Sequence, residues 1–307
     1  MSDAIWVAAS LLFILCGAPG RGLATRFATG IVIGGTVMWL ESLLGIAWTR
    51  TSLLITMWLV FSGWWLVSRT HQLPATNHQP LRAYIPIALI TLLTIYGAAT
   101  ARITCGDLLY FWGPKAQRFF FTQRIDVEFL RFPHYYLMHP DYPPLLPLVY
   151  AWSSIAAHRF SYWGAILLTP IYLLATVLAF RRFAAQKTKH ATAYATLLAA
   201  LLAFGFASGR AAGGADPQLI MFEVIALSAL TFGDERLIAA IALAGAALTK
   251  VEGAAFAAVV IIAYAITRRN VRAVATLATP AILLLGSWIA FAKQNGLLDS
   301  YARGGTP

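Results

Sequence analysis

Residues 82–100 read RAYIPIALITLLTIYGAAT: one arginine, then eighteen residues without a charge. A bilayer core is about 30 Å thick, so a helix needs roughly 17–25 apolar residues to cross it. This stretch qualifies. Arg82 orients it, because Lys and Arg near helix ends stay on the cytoplasmic side. The helix then runs outward, and the hydrophilic segment that follows, 101–141, is expected on the far face.

The same pattern repeats in both directions along the chain. Apolar runs fall at 4–17, 27–47, 51–68, 143–157, 162–180, 191–208, 217–232, 237–249, 252–267 and 273–291. Basic segments separate them at Arg21/Arg26, Arg69/Arg82, Arg181 to Lys189 (with Arg182 and Lys187), and Arg268/Arg269/Arg272. Placing all four inside leaves an odd number of crossings between Tyr142 and Arg181, where two runs lie. The first, 143–157, opens with Pro143–Pro144 and is broken by Pro147, so it is read as an outer or re-entrant helix. The count becomes about ten crossings, with both termini outside. The runs 237–249 and 252–267 are short; as one broken helix they would change the C-terminal topology. The expected fold is an all-α polytopic membrane bundle with interfacial helices in its outer loop.

Bulk composition agrees. Of 307 residues, 59% are hydrophobic and 11% charged, with mean hydropathy +0.70. A soluble domain carries about 25% charge to solvate its surface. The net charge of +11 is dispersed among the connections between apolar runs. That suits the positive-inside pattern and anionic lipid, not a nucleic-acid face. Asp3 is the only early charge, so residues 4–16 read as a retained helix and not a cleaved signal. Cys16 and Cys105 fall near opposite faces, beyond disulfide reach.

The outer loop contains CGDLLYFWGPKAQRFFFTQRIDVEFLRFPHYYLMHPDYPPL, residues 105–145. Pro114 suits the first turn of a helix, where its missing N–H costs nothing. From there Lys115 and Arg118 share a face at i, i+3, with Trp112, Phe119 and Phe120 offering apolar surface. That describes a helix lying in the headgroup zone. The topology also brings three acids to the outer side: Asp107, Asp216 and Glu252. Charge within a membrane helix is expensive, so acids gathered with Lys115, Arg118, His139 and Lys250 on one face suggest a polar pocket. Acids at helix ends are also commonly just solvated.

At these residues the chain resembles a known family. The run Asp107–Leu108–Leu109–Tyr110–Phe111–Trp112–Gly113–Pro114–Lys115–Ala116 looks like the first outer loop of GT-C glycosyltransferases. The nearest relatives would be bacterial enzymes similar to protein mannosyltransferases and the lipid A aminoarabinose transferase. His139–Pro140–Asp141–Tyr142–Pro143–Pro144–Leu145 resembles the tyrosine–proline–proline element closing that loop. Gly214–Ala215–Asp216–Pro217 resembles the acid opening the second outer loop, and Leu248–Thr249–Lys250–Val251–Glu252–Gly253 a break in a later helix. The resemblance covers 82–291. Residues 1–81 have no clear counterpart, and 292–307 form an outer tail or a truncation point.

The resemblance implies transfer of a sugar from a polyprenyl-phosphate donor to an acceptor hydroxyl on a glycan, lipid or protein, with inversion. It implies a bacterial plasma membrane, with the site facing the periplasm or exterior. Asp107 would be the catalytic base. Asp216 would orient the acceptor or help Asp107 hold a divalent metal of the magnesium or manganese type. Lys115, Arg118 and Lys250 would meet the donor phosphate, with Trp112, His139, Asp141, Tyr142 and Glu252 as further pocket residues. A positioned carboxylate and nearby cations suit that chemistry, one accepting a proton and the others a leaving phosphate.

Plainer readings fit the remaining residues. His134 and His139 lack zinc-like spacing. Glu41 reads as a helix-paired acid, and Trp6, Trp39 and Trp58 as anchors or packing. Asp234, Glu235 and Arg236 read as a cytoplasmic turn. No Walker loop, nucleophile elbow or GxGxxG unit is evident. Two rival functions are a transporter or flippase of a lipid-linked or amphipathic substrate, and a subunit that keeps the fold without chemistry. A transporter would want charges and Gly/Pro breaks near mid-membrane.

Overall fold

The computed structural model describes residues 2–17, 22–68, 81–100, 105–131, 139–206 and 211–297. Arg21, Arg69, His134 and residues 298–307 lie outside them. Among the described residues every regular element is helical. Six helices among the described residues are long and apolar enough to cross a membrane: α3 (Leu23–Leu43), the segment Arg82–Thr100 containing α5 (Ile85–Thr100), α9 (Tyr162–Ala184), the segment Asp216–Gly233 containing α11 (Asp216–Ser228), α13 (Val251–Arg268) and α14 (Val271–Gln294). The other elements are α1 (Ser2–Leu11), α2 (Phe13–Cys16), α4 (Arg50–Ser68), α6 (Gly113–Thr122), α7 (Val127–Arg131), α8 (Leu145–Ala157), α10 (Ala191–Phe206) and α12 (Arg236–Thr249). Several expected spans are therefore short: α12, with 14 residues, reaches about 21 Å at 1.5 Å per residue.

Burial separates centre from rim. In α9, 67% of the apolar window is buried, against 11% in Arg82–Thr100. The side chains of α5 that face outward, such as Leu89, Leu92 and Leu93, need an apolar solvent around them. Glycines let the central helices approach closely. A Cβ on Gly30 would lie 1.8 Å from the Phe13 carbonyl oxygen, so α2 and α3 cross at backbone contact.

The two ends of the bundle differ in charge. At one end Arg182 meets Glu235 at 3.7 Å and reaches Thr25 at the start of α3, while the Arg181 guanidinium covers the Tyr84 ring at 4.2 Å. The basic segments around residues 26, 82 and 181 and the turn 234–236 thus share one end. At the other end the Trp48 N–H donates to the Gln123 carbonyl at 2.8 Å, and Trp288 Nε1 donates to the Asp141 carbonyl at 2.7 Å. Residues 105–131 and 139–144 therefore cap the opposite end. Cys16 and Cys105 are both buried, and no disulfide joins them.

Helix α8 has both of its ends at this second end. Leu145 fills the space over Gly35, and Arg50, just after α3 has turned, donates to the Ile155 and Ala156 carbonyls. Its small polar side chains fix it to its neighbours. Trp6 Nε1 donates to Ser154 Oγ at 3.0 Å, Ser10 and Ser153 share a hydrogen bond, and the Tyr150 hydroxyl donates to the Gly213 carbonyl at 2.8 Å. The helix is a buried floor beneath α6 and does not run from one end of the bundle to the other. Glu41 is helix-paired, accepting from Thr56 Oγ1 at 2.6 Å. Trp6 and Trp39 are buried, and Trp58 is exposed.

The short runs 237–249 and 252–267 are two helices, α12 and α13. Lys250 is extended between them. A Cβ on Gly253 would fall 2.1 Å from the Ala246 carbonyl oxygen, so the chain doubles back in a tight hairpin and does not continue as one broken helix.

Candidate active site

Asp107 opens a π-helical turn, Asp107–Trp112, that leads directly into α6. The Gly113 N–H donates to the Leu108 carbonyl five residues back, and a Cβ on Gly113 would come within 2.4 Å of that oxygen. Glycine is what lets the wide turn return to α geometry here. Such turns are frequent at functional sites, because one extra residue re-aims the side chains around it.

The segment 211–215 presses onto the same turn. Gly213 has φ +80°, and a Cβ there would strike Leu108 Cδ2 at 2.6 Å. Its N–H is held by Thr169 Oγ1 at 2.9 Å. A Cβ on Gly214 would lie 3.3 Å from Cys105 Sγ and 3.8 Å from Asp107 Cβ. Asp216, at the start of α11, is thereby brought beside Asp107. The α12–α13 hairpin supplies the third part: Lys250 Nζ lies 3.2 Å from Asp216 Oδ1 and 3.6 Å from Glu252 Oε1. Thr249 is fixed beneath it by the Gln218 amide at 3.1 Å.

Electrostatics ties the group together. Burial pushes the half-buried Asp107 carboxyl above the ordinary aspartate value. Asp216 and Glu252 act in the same direction, while Lys250 and His139 oppose it. Burial alone would lower the Lys250 ammonium. The attraction of Asp216, Glu252 and Asp107 outweighs this and holds it above the usual lysine value. His139 is held below the ordinary histidine value by burial and by the Lys115 charge, against Asp141, Asp107 and Glu252.

The structure thus gathers Asp107, Asp216, Lys250, Glu252 and His139 into one cluster. Tyr142 stacks on His139 with centroids 4.4 Å apart, and Trp112 lies 5.9 Å from Tyr142 as a buried wall. The Asp141 carboxylate acts on Lys115 and His139. Two expected phosphate ligands are placed differently. Arg118 Nε is bound to Asp126 Oδ2 at 2.6 Å and its guanidinium covers Phe129, so it fastens α6 to α7. Lys115 is only 2% exposed, and its ammonium donates to the His139 carbonyl. Arg118→Ala is expected to change stability by less than about 1 kcal/mol, since the guanidinium is half exposed and screened. It should leave any reaction at Asp107 intact; a loss of activity with the thermal midpoint unchanged would contradict this placement.

Sequence reasoning passed over Cys105 and Gln218. The Cys105 thiol receives the N–H groups of Asp107 and Leu108, yet burial keeps it above the ordinary thiol value. Its position two residues before Asp107 was the available signal. A divalent metal fits the donor set poorly. Lys250 already stands between Asp216 and Glu252, and no three His, Cys, Asp or Glu side chains gather as a metal site among the described residues. No protein-family model, curated protein or solved structure matches the chain.

Proposed function

We propose that this chain is an integral membrane glycosyltransferase of GT-C type that takes its sugar from a polyprenyl-phosphate donor. The observation that carries the reading is the convergence of Asp107, Asp216, Lys250, Glu252 and His139 at the bundle end opposite the arginine-rich connections. Under the positive-inside rule that end faces the exterior, the periplasm of a bacterial cell. In this reading the chain crosses the membrane ten times, the shorter helices included and α8 re-entrant.

In the proposed reaction Asp107 accepts the proton of the acceptor hydroxyl. The acceptor oxygen forms a new bond to the anomeric carbon from the face opposite the phosphate. The old anomeric C–O bond breaks, its electron pair leaves on the polyprenyl phosphate, and the configuration inverts. Lys250 is the cation placed to meet that phosphate, and Asp216 and Glu252 hold it ready. An apolar cleft of about 360 Å³ supports a lipid-borne substrate. It is lined by Leu93, Gly97 and Ala98 of α5, Thr169 of α9, Ala203 of α10, and Ala212. Ala212 adjoins Gly213 and Gly214, which pack on the turn that Asp107 opens.

Purified protein in liposomes containing a polyprenyl-phosphate sugar and a hydroxylated acceptor should release polyprenyl phosphate. Lys250→Met should slow release by about 10²-fold. No release with hexosyl or pentosyl donors would overturn the reading. A thiol placed at position 107, in a chain lacking Cys16 and Cys105, should react with an impermeant maleimide on spheroplasts. Protection there, with reaction only after the membrane is opened, would reverse the sidedness.

A further inference from the structure

The wall of the site contains a charge that the proposed reaction does not use. Lys115 lies in the first turn of α6, with its ammonium turned inward and 5.2 Å from the Trp112 ring centroid. We propose that Lys115 is a positioning residue, whose ammonium grips the His139 carbonyl and so holds the His139 imidazole at the cluster formed by Asp107 and Lys250. This rests on the site reading given above, but the contact itself stands independently of it.

The geometry around His139 explains why a grip is needed. His139 has φ 47°, a left-handed conformation that a residue with a side chain adopts only when its surroundings impose it. Its carbonyl accepts two hydrogen bonds, one from the Tyr142 N–H at 3.0 Å and one from Lys115 Nζ. The first closes the turn 139–142, and the second pins that turn to α6. The ring is then clamped between Phe111, edge-on at 4.9 Å, and Tyr142, stacked at 4.4 Å. In this place its charge state is coupled to Asp107, Glu252, Asp141 and Lys115.

A side chain serving only to fill this space would not need a charge, since a methionine has similar length and no ion to desolvate. Burial pushes the Lys115 ammonium down to about 7, with Asp141 as the acid that opposes the fall. Among the described residues, Asp141 and His139, both from the turn packed against it, are the titratable groups that face it. The charge therefore works against the fold: stability should rise with pH from about 7 towards 10.5, as the unfolded chain keeps a proton that the native lysine has lost. Its return is control of His139, whose imidazole the Lys115 charge helps to keep neutral.

The test compares the full chain with Lys115→Met in detergent. Three quantities are read: the thermal midpoint from pH 6 to 10, the titration of His139 by histidine-selective labelling (assigned with His139→Gln), and sugar transfer. The variant should melt no lower than the parent at pH 7 and lose the alkaline rise. Its His139 titration should move up by about half a pH unit or more, and transfer should fall about tenfold or more. A lower midpoint with an unmoved His139 titration would make Lys115 mere packing and overturn the proposal. Should the parent transfer no sugar, the glycosyltransferase reading fails alone, because the histidine shift still reports the Lys115 contact.

Discussion

Asp107→Asn is expected to lower sugar transfer by about 10²–10⁴-fold, the usual contribution of a positioned base, without lowering the thermal midpoint. The two halves of that result have one cause. Burial raises the Asp107 pKa in the folded chain, and the nearby Asp216 and Glu252 carboxylates add to the effect. A carboxyl with a raised folded pKa favours the native state only while protonated. Its contribution is present below the unfolded value of about 3.8 and is lost as pH climbs through the higher folded value. At neutral pH the ionised group is therefore a cost to the fold, and the neutral amide relieves it. The same shift makes the carboxylate a better proton acceptor, so transfer by the parent should fall on acidification at a pH above the ordinary aspartate range. Full transfer by the asparagine variant would remove Asp107 from the base role. A large drop in midpoint would mean that the carboxylate is a structural ion and the loss of transfer indirect.

The helical class could be read from the sequence because lipid leaves the backbone few alternatives. Charge-free runs of this length can satisfy their peptide groups only within a helix. That α8 begins and ends on one side of the bundle was also legible, through Pro143, Pro144 and Pro147. What the sequence concealed was direction on a helix surface. Lys115 and Arg118 share a face by spacing, yet they stand about 60° apart around the axis. With the His139 turn lying over one edge of α6 and Asp126 beside the other, that angle separates a buried strut from an exposed ion pair. The spacing of charges does not reveal which loop will cover them. Cys105 was obscured for a related reason. A single thiol carries no pattern, and its place against Asp107 and Gly214 is set by a segment more than a hundred residues away.

The sharpest structural test concerns a position with no chemistry of its own. Gly253→Ala should destabilise the chain, whereas Gly286→Ala in α14 should leave it unchanged or slightly more stable. Helix propensity alone favours alanine over glycine by about 0.5–1 kcal/mol in both helices. At Gly286 nothing lies within 4 Å of the added carbon, so propensity decides. At Gly253 the carbon would stand 2.1 Å from the Ala246 carbonyl oxygen and 2.7 Å from Leu219 Cδ1. The first is backbone and cannot swing aside, so α12 and α13 must part. Overpacking of this kind costs about 1–3 kcal/mol, enough to reverse the propensity gain. The site would feel the same displacement, because Lys250 is the hinge of that hairpin and its ammonium is only 3.2 Å from Asp216. Opening the hinge by about an ångström pulls the cation from its acid, and misplacement of that size can cost about 10²-fold in rate. The variant should therefore melt lower and also transfer sugar more slowly at temperatures where it is fully folded. A Gly253→Ala chain as stable and as active as the parent would show that the hairpin does not set the position of Lys250.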